Sequence, residues 1–189
     1  MLYARITPYI ERKSSEVRQL EIMWTPWRLR YIVQAKSSEK TEECILCEMT
    51  RCTGDDKCNY VLYRGESCYI MLNLYPYTNG HIMVVPYCHE GDLTKLNDKS
   101  LCEMGSLTRA SVAALKRLLQ PTGFNIGMNM GRVAGAGVTD HVHMHVVPRW
   151  SGDSNFMTVL GGTRMIPEDL DMTYQKLLPL LTEEVSKAR

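Results

Sequence analysis

Between residues 60 and 86 the apolar side chains come in short runs broken by turn-forming residues. YVLYR (60–64), CYIMLNL (68–74) and HIMVVP (81–86) are rich in β-branched and aromatic residues and are punctuated by RGES and YPYTNG, which predicts three short strands joined as antiparallel neighbours. From 98 to 120 the period lengthens. Leu101, Met104, Thr108, Val112, Leu115 and Leu119 stand three or four apart and Pro121 follows, so one long helix is expected to end there. GFNIGMNM (123–130) returns to period two, with Phe124, Ile126, Met128 and Met130 on one face and Asn125, Gly127 and Asn129 on the other. A small-residue turn, GRVAGAGVTD, leads into HVHMHVVPRW (141–150), which reads as a further strand. PEDLDMTYQKLLPLL (167–181) opens with proline and acids, as helices do, and Pro179 disturbs its last turn. Strands, helix, strands and helix in that order, with no βαβ alternation, predict an α+β fold on a mainly antiparallel sheet.

Composition narrows the partners. The chain has 189 residues, enough for one self-sufficient core, and is 44% hydrophobic and 23% charged, as soluble globular proteins are. Its net charge of +1 argues against nucleic acid or a membrane surface as partner and leaves room for a small anionic ligand. The first twenty residues hold no apolar secretory core, and no run reaches the roughly 20 apolar residues that span a bilayer, so a cytoplasmic protein is expected. The polar stretch QAKSSEKTEE (34–43) reads as a linker or loop after the segment MWTPWRLRYIV. Seven cysteines (Cys44, Cys47, Cys52, Cys58, Cys68, Cys88 and Cys102) form an odd set. In a reducing compartment they read as thiols or metal ligands rather than a disulfide framework, which draws attention to Cys44 and Cys47 in ECILCE.

Three of the five histidines, His141, His143 and His145, alternate, and in a strand they would share a face. Convergent imidazoles are ligands, catalysts or an accident, and an accident would need each ring to find partners for no return. A three-His zinc site with an open position for water is one reading. No carboxylate follows on that face, however, and Arg149 brings a cation, which suits an anion better. The other reading is nucleophilic. His143 could attack phosphorus if a carbonyl held its far N–H, while His145 and the backbone N–H groups of AGAGVTD donate to the non-bridging oxygens.

HVHMHVV resembles the His-φ-His-φ-His-φ-φ signature of the histidine triad (HIT) superfamily of nucleotide hydrolases and transferases. The resemblance runs from Met23 onward. It takes in W-x-PWR-x-x-Y (24–31), the CxxC, NxxPYxxGH (73–81), GMN-x-G (127–131) and PRWxGDxNFM (148–157), and is similar to the branch of fragile-histidine-triad hydrolases and diadenosine tetraphosphate phosphorylases. It implies a HIT domain over 23–189, after an N-terminal extension at 1–22 of unassigned role. The implied fold is an antiparallel sheet of about five strands, with a long helix packed on it and a C-terminal helix. A homodimer joining two sheets and a dinucleoside polyphosphate substrate are also implied, with no organic cofactor.

By the same resemblance His143 matches the nucleophile that forms a nucleotidyl-histidine, His145 the histidine on the α-phosphate, and His81 a histidine that orients the triad. Asn73 matches a ribose contact. Asn129, Gly131 and the turn at Gly137 and Val138 lie near the phosphates, and Trp150 and Asn155 belong to the tail pattern. Many members carry Ser or Thr where this chain has Val138, which leaves leaving group and acceptor open. Taken alone, His81 would read as a satisfied core histidine and Asn73 and Asn129 as turn residues. Cys44, Cys47, His89 and His141 supply the donors of a closed, structural Cys₂His₂ zinc site that spares the nucleophile, against the plainer reading of two ordinary thiols. A nucleoside phosphoramidate or adenylate hydrolase, and a zinc-containing nucleotide-binding protein with little turnover, remain alternatives.

Overall fold

The computed structural model describes residues 44–51, 54, 56–153 and 168–188. The expected boundary at 22/23, the motif at 24–31, the stretch at 34–43, Cys52, Asn155 and Pro167 lie outside the described residues.

Five strands form one antiparallel sheet: β1 (Val61–Arg64), β2 (Cys68–Leu72), β3 (Ile82–Pro86), β4 (Gly123–Gly127) and β5 (Met144–Arg149), in the order β1-β2-β3-β5-β4. β2 and β3 are buried along their whole length because both faces of the sheet are covered. On one face Ile70, Leu72, Ile82, Val84 and Val146 pack against Met104, Leu107 and Leu115 of α2 (Asp98–Leu119) and Leu177 and Leu181 of α3 (Leu170–Ala188). On the other, Val61, Tyr69, Met71, Met83 and Val85 pack against Leu46 of α1 (Ile45–Arg51). Each such large apolar side chain contributes about 1.5–3 kcal/mol by leaving water.

Several expectations are revised. The helical stripe is only partly as expected: Met104 and Leu115 are buried, Leu101 is exposed, and Leu107, Ala110 and Ala114 are buried as well. The helix starts on Asn97, whose side chain accepts the Ser100 N–H, and stops at Gln120 in the left-handed region before Pro121. The strand expected over 123–130 ends at Gly127, and 128–143 makes the connection to β5, reversing through Gly131 and Gly135 at positive φ. β5 begins only at Met144, so His141 and His143 stand on the approach to the strand and His145 alone lies within it. α3 runs through Pro179 to Ala188, carried by the buried series Tyr174, Leu177, Leu181 and Val185.

One glycine sets the position of the site. Gly80 has φ +75°, and a Cβ there would stand 2.5 Å from Leu119 Cδ1 and 3.0 Å from Leu115 Cδ2. The turn before β3 thus rests directly on the end of α2, and His81 follows it into the sheet.

Candidate functional site

The β2–β3 turn, NLYPYTNGH, is built around its own histidine. The Tyr75 N–H donates to Asn73 Oδ1 at 2.9 Å, which orients the carboxamide and leaves Asn73 Nδ2 facing His81 Nδ1 at 3.3 Å. The Tyr77 N–H donates to the same ring nitrogen at 3.1 Å. Backbone N–H groups can only donate, so His81 Nδ1 holds a lone pair and its proton sits on Nε2. That proton points at His145 Nδ1, 3.0 Å away. His145 therefore accepts on Nδ1 and carries its own proton on Nε2, the nitrogen turned away from His81.

His143 is set in the opposite sense. Its Nδ1–H donates to the carbonyl of His141 at 2.9 Å, leaving the lone pair on Nε2. The His143 and His145 rings lie 4.7 Å apart, edge to face. Burial holds both neutral: it lowers the His143 pKa against the opposing pull of the His141 carbonyl, and with the nearby His143 it brings His145 down to about 4. Two neutral imidazoles side by side, one offering a lone pair and the other a proton, can attack an electrophile and stabilise the charge that develops on it. The Tyr77 ring lies over this arrangement, 4.7 Å from His81 and 5.9 Å from His145.

His141 faces elsewhere. Its Nε2–H donates to the Pro86 carbonyl at 2.8 Å, so Nδ1 is left as a donor atom towards Cys44 Sγ and Cys47 Sγ, each 3.5 Å away. His89 Nδ1 stands 3.3 Å from Cys47 Sγ. The four donors, all within 4.8 Å of one another, are the candidate metal cluster among the described residues. A tetrahedral zinc ion with ordinary Zn–S and Zn–N bonds separates sulfur from nitrogen by about 3.6 Å, so the set fits. Burial and the adjacent Cys44 push the Cys47 thiol up, so a divalent cation is what would hold that sulfur as a thiolate. α1 delivers Cys47, the chain after β3 delivers His89, and the Val142 N–H to Glu90 carbonyl bond, 2.7 Å, ties that chain to the triad approach. Gly91 makes room, because a Cβ there would meet the Thr139 carbonyl oxygen at 2.6 Å.

The remaining expected residues are placed as follows. Asn129, Gly131, Gly137 and Val138 lie in the 128–143 connection, where Val138 packs against the α1-side cluster. Trp150 donates its indole N–H to the Leu119 carbonyl at 3.3 Å and so latches the end of α2. Arg149, read from the sequence as a cation suited to an anion, is held by Asp153 through Nε (2.5 Å) and Nη2 (2.8 Å) and by Asn125 through Nη1 (2.6 Å). The PRWxGD motif thus folds back on itself through Arg149 and Asp153. Sequence reasoning missed Tyr77, the Pro86 carbonyl and the turn amides. The signal for Tyr77 was its place four residues before His81 within the quoted NxxPYxxGH.

A family model described as HIT domain matches residues 56–152, just over half the chain. An AP-4-A phosphorylase of Mycobacterium tuberculosis is 38% identical over 172 residues, 88% of this chain and 87% of that protein. An adenosine 5′-monophosphoramidase of Schizosaccharomyces pombe is 30% identical over 56% of this chain and 74% of its own length. Among solved structures, a zinc-bound histidine triad family protein of Mycobacterium smegmatis superposes with a TM-score of 0.61 at 28% identity, covering 77% of this chain and 97% of that one. The α+β sheet, the alternating histidines and these matches together make the chain a member of the HIT family.

Proposed function

We propose that the protein transfers a nucleotidyl group from a dinucleoside polyphosphate, such as diadenosine tetraphosphate, to inorganic phosphate by way of a covalent bond to His143. The observation that carries this is the pair of fixed tautomers: a lone pair on His143 Nε2 beside a proton on His145 Nε2. The Nε2 lone pair attacks the α-phosphorus in line. A P–N bond forms as the P–O bond to the polyphosphate breaks, and ATP leaves with the electron pair. The His141 carbonyl, accepting the Nδ1–H, stabilises the charged ring, and the His145 N–H donates to a non-bridging oxygen. Phosphate then attacks the same phosphorus, the P–N bond breaks, ADP forms and His143 regains its lone pair. The name of the M. tuberculosis relative supports phosphate over water as acceptor.

Asn73 and the 128–143 turn with Asn129, Gly131, Gly137 and Val138 are assigned to the nucleotide, and Cys44, Cys47, His89 and His141 to a structural zinc. With four protein donors that ion has no open position, and its place ties α1 and the chain at His89 to the residue preceding the nucleophile by two. A cytoplasmic homodimer is part of the same reading. The β4 edge strand and the exposed Ile126 and Met130 beside it support an association that light scattering would test.

The test is incubation with diadenosine tetraphosphate with and without phosphate, products separated by chromatography. ADP and ATP only with phosphate is the expected result. AMP and ATP regardless of phosphate would make water the acceptor, and no product would sink the proposal. More than a trace of turnover by His143→Ala would rule out the covalent step. The S. pombe relative favours adenosine phosphoramidate as second candidate, which a substrate panel separates.

A further inference from the structure

Tyr77 touches the histidine chain twice. Its N–H donates to His81 Nδ1, and its ring packs at a tilt of 38° on His81 and of 34° on His145. The His81 Nε2–H to His145 Nδ1 bond runs between two rings that this one tyrosine covers, and Tyr77 itself is 42% exposed. The ring of Tyr77 thus lies on the hydrogen bond that fixes the His145 tautomer, a bond that water would weaken. Water reaching His145 Nδ1 would compete with His81, and a proton delivered there would turn the ring into a cation with a donor facing a donor. We infer that Tyr77 is a positioning residue, its ring sealing the His81–His145 hydrogen bond from water so that His145 stays neutral and keeps its outer N–H for the substrate phosphate.

The surroundings leave few rivals for this role. Among the described residues, the rings packed on His145 are those of His143 next to it, His81 at the head of β3 and Tyr77. Its register partners, Met83 on β3 and Gly127 on β4, carry no charge. Burial is the first cause of the lowered His145 pKa, and Tyr77, whose ring packs on His145, is itself partly exposed. The inference rests on the proposed reaction only for the word substrate, since the sealing itself is a property of the folded chain.

The experiment is an NMR titration of the assigned His145 ring signals in the full-length, zinc-loaded protein between pH 7.5 and 5, for wild type, Tyr77→Phe and Tyr77→Ala. Wild type and Tyr77→Phe should show a ring that stays neutral across that range. Tyr77→Ala should begin to titrate within it, its midpoint raised by about one unit or more, as expected when water regains a buried imidazole. In kinetics with diadenosine tetraphosphate, the ratio of kcat at pH 5 to that at pH 7.5 should fall about twofold or more in the alanine variant and hold in the phenylalanine one. A His145 that stays neutral at pH 5 in Tyr77→Ala overturns the inference. If no variant turns over the nucleotide, the NMR arm still decides it, and only the proposed reaction is lost.

Discussion

Replacing His81 with phenylalanine would keep a flat ring in contact with Tyr77 and His145 while deleting the proton that fixes the His145 tautomer. Two costs follow. In the fold, His81 is 1% exposed, so the Tyr77 N–H and the Asn73 amide lose a buried acceptor, at about 1–3 kcal/mol for each group left unsatisfied. In the reaction, His145 would be free to place its proton on either nitrogen. The hydrogen bond that now biases the choice is worth about 1 kcal/mol net, and somewhat more when shielded, so its loss removes roughly a tenfold preference. Complete loss of one donor to the transition state would cost about 10²–10³-fold. Losing that preference alone leaves about half the rings in the wrong tautomer, a roughly twofold fall, and losing the ring's orientation with it approaches loss of the donor. The expected fall in kcat therefore lies between about 2-fold and 100-fold, with KM little changed because the donor acts mainly on developing charge. Steady-state kinetics on diadenosine tetraphosphate with phosphate would measure it, with urea unfolding in parallel to confirm that the variant is folded at the assay temperature. A kcat equal to that of wild type, alongside the calculated loss of stability, would refute the tautomer argument and leave His81 a packing residue.

Three further outcomes are expected. Elemental analysis should find one zinc per chain, and Cys47→Ser or a strong chelator should remove it and lower the melting temperature; unchanged melting after removal would deny the cluster a structural role. Gly80→Ala should destabilise by about 2–4 kcal/mol, from a side chain forced to positive φ and a Cβ against Leu119, and a loss below 1 kcal/mol in urea would show that the turn yields. The folded His145 pKa, about 4 against an ordinary 6.5, makes the unfolded chain bind more protons between those values. Its contribution to stability is thus complete above pH 6.5 and drains as pH falls towards 4. Wild type should accordingly lose more stability than His145→Gln between pH 7 and pH 5, and an equal loss in both would contradict the shift.

The first three strands were legible as β-branched and aromatic runs bounded by turns, and β4, the long helix and the triad as periods: two in β4, three to four in α2, and alternate histidines at 141–145. The errors arise where period gives way to contact. Leu101 fits the helical spacing and is exposed, while Ala110 and Ala114, outside the expected stripe, are buried. α1 is seven residues long, too short to show a repeat, and its presence follows from Leu46 covering Tyr69 and Met71 and from Cys47 reaching His89. In the site, the groups that decide protonation are the Tyr75 and Tyr77 amides and the Pro86 and His141 carbonyls, which every sequence contains at every such position. Arg149 carries a side chain suited to an anion, and only its geometry reveals that Asp153 already holds it.

The carbonyl of His141 that orients the nucleophile is part of the main chain, and no codon change can delete it. Replacing the His141 side chain would perturb the sulfur-and-imidazole cluster and leave this acceptor chemically intact. A survey of point substitutions would therefore find the nucleophile and its neighbours but never its orienting partner, and would rank the site as simpler than it is. Exchanging the amide that follows His141 for an ester, which weakens that carbonyl as an acceptor, is the perturbation that reaches it.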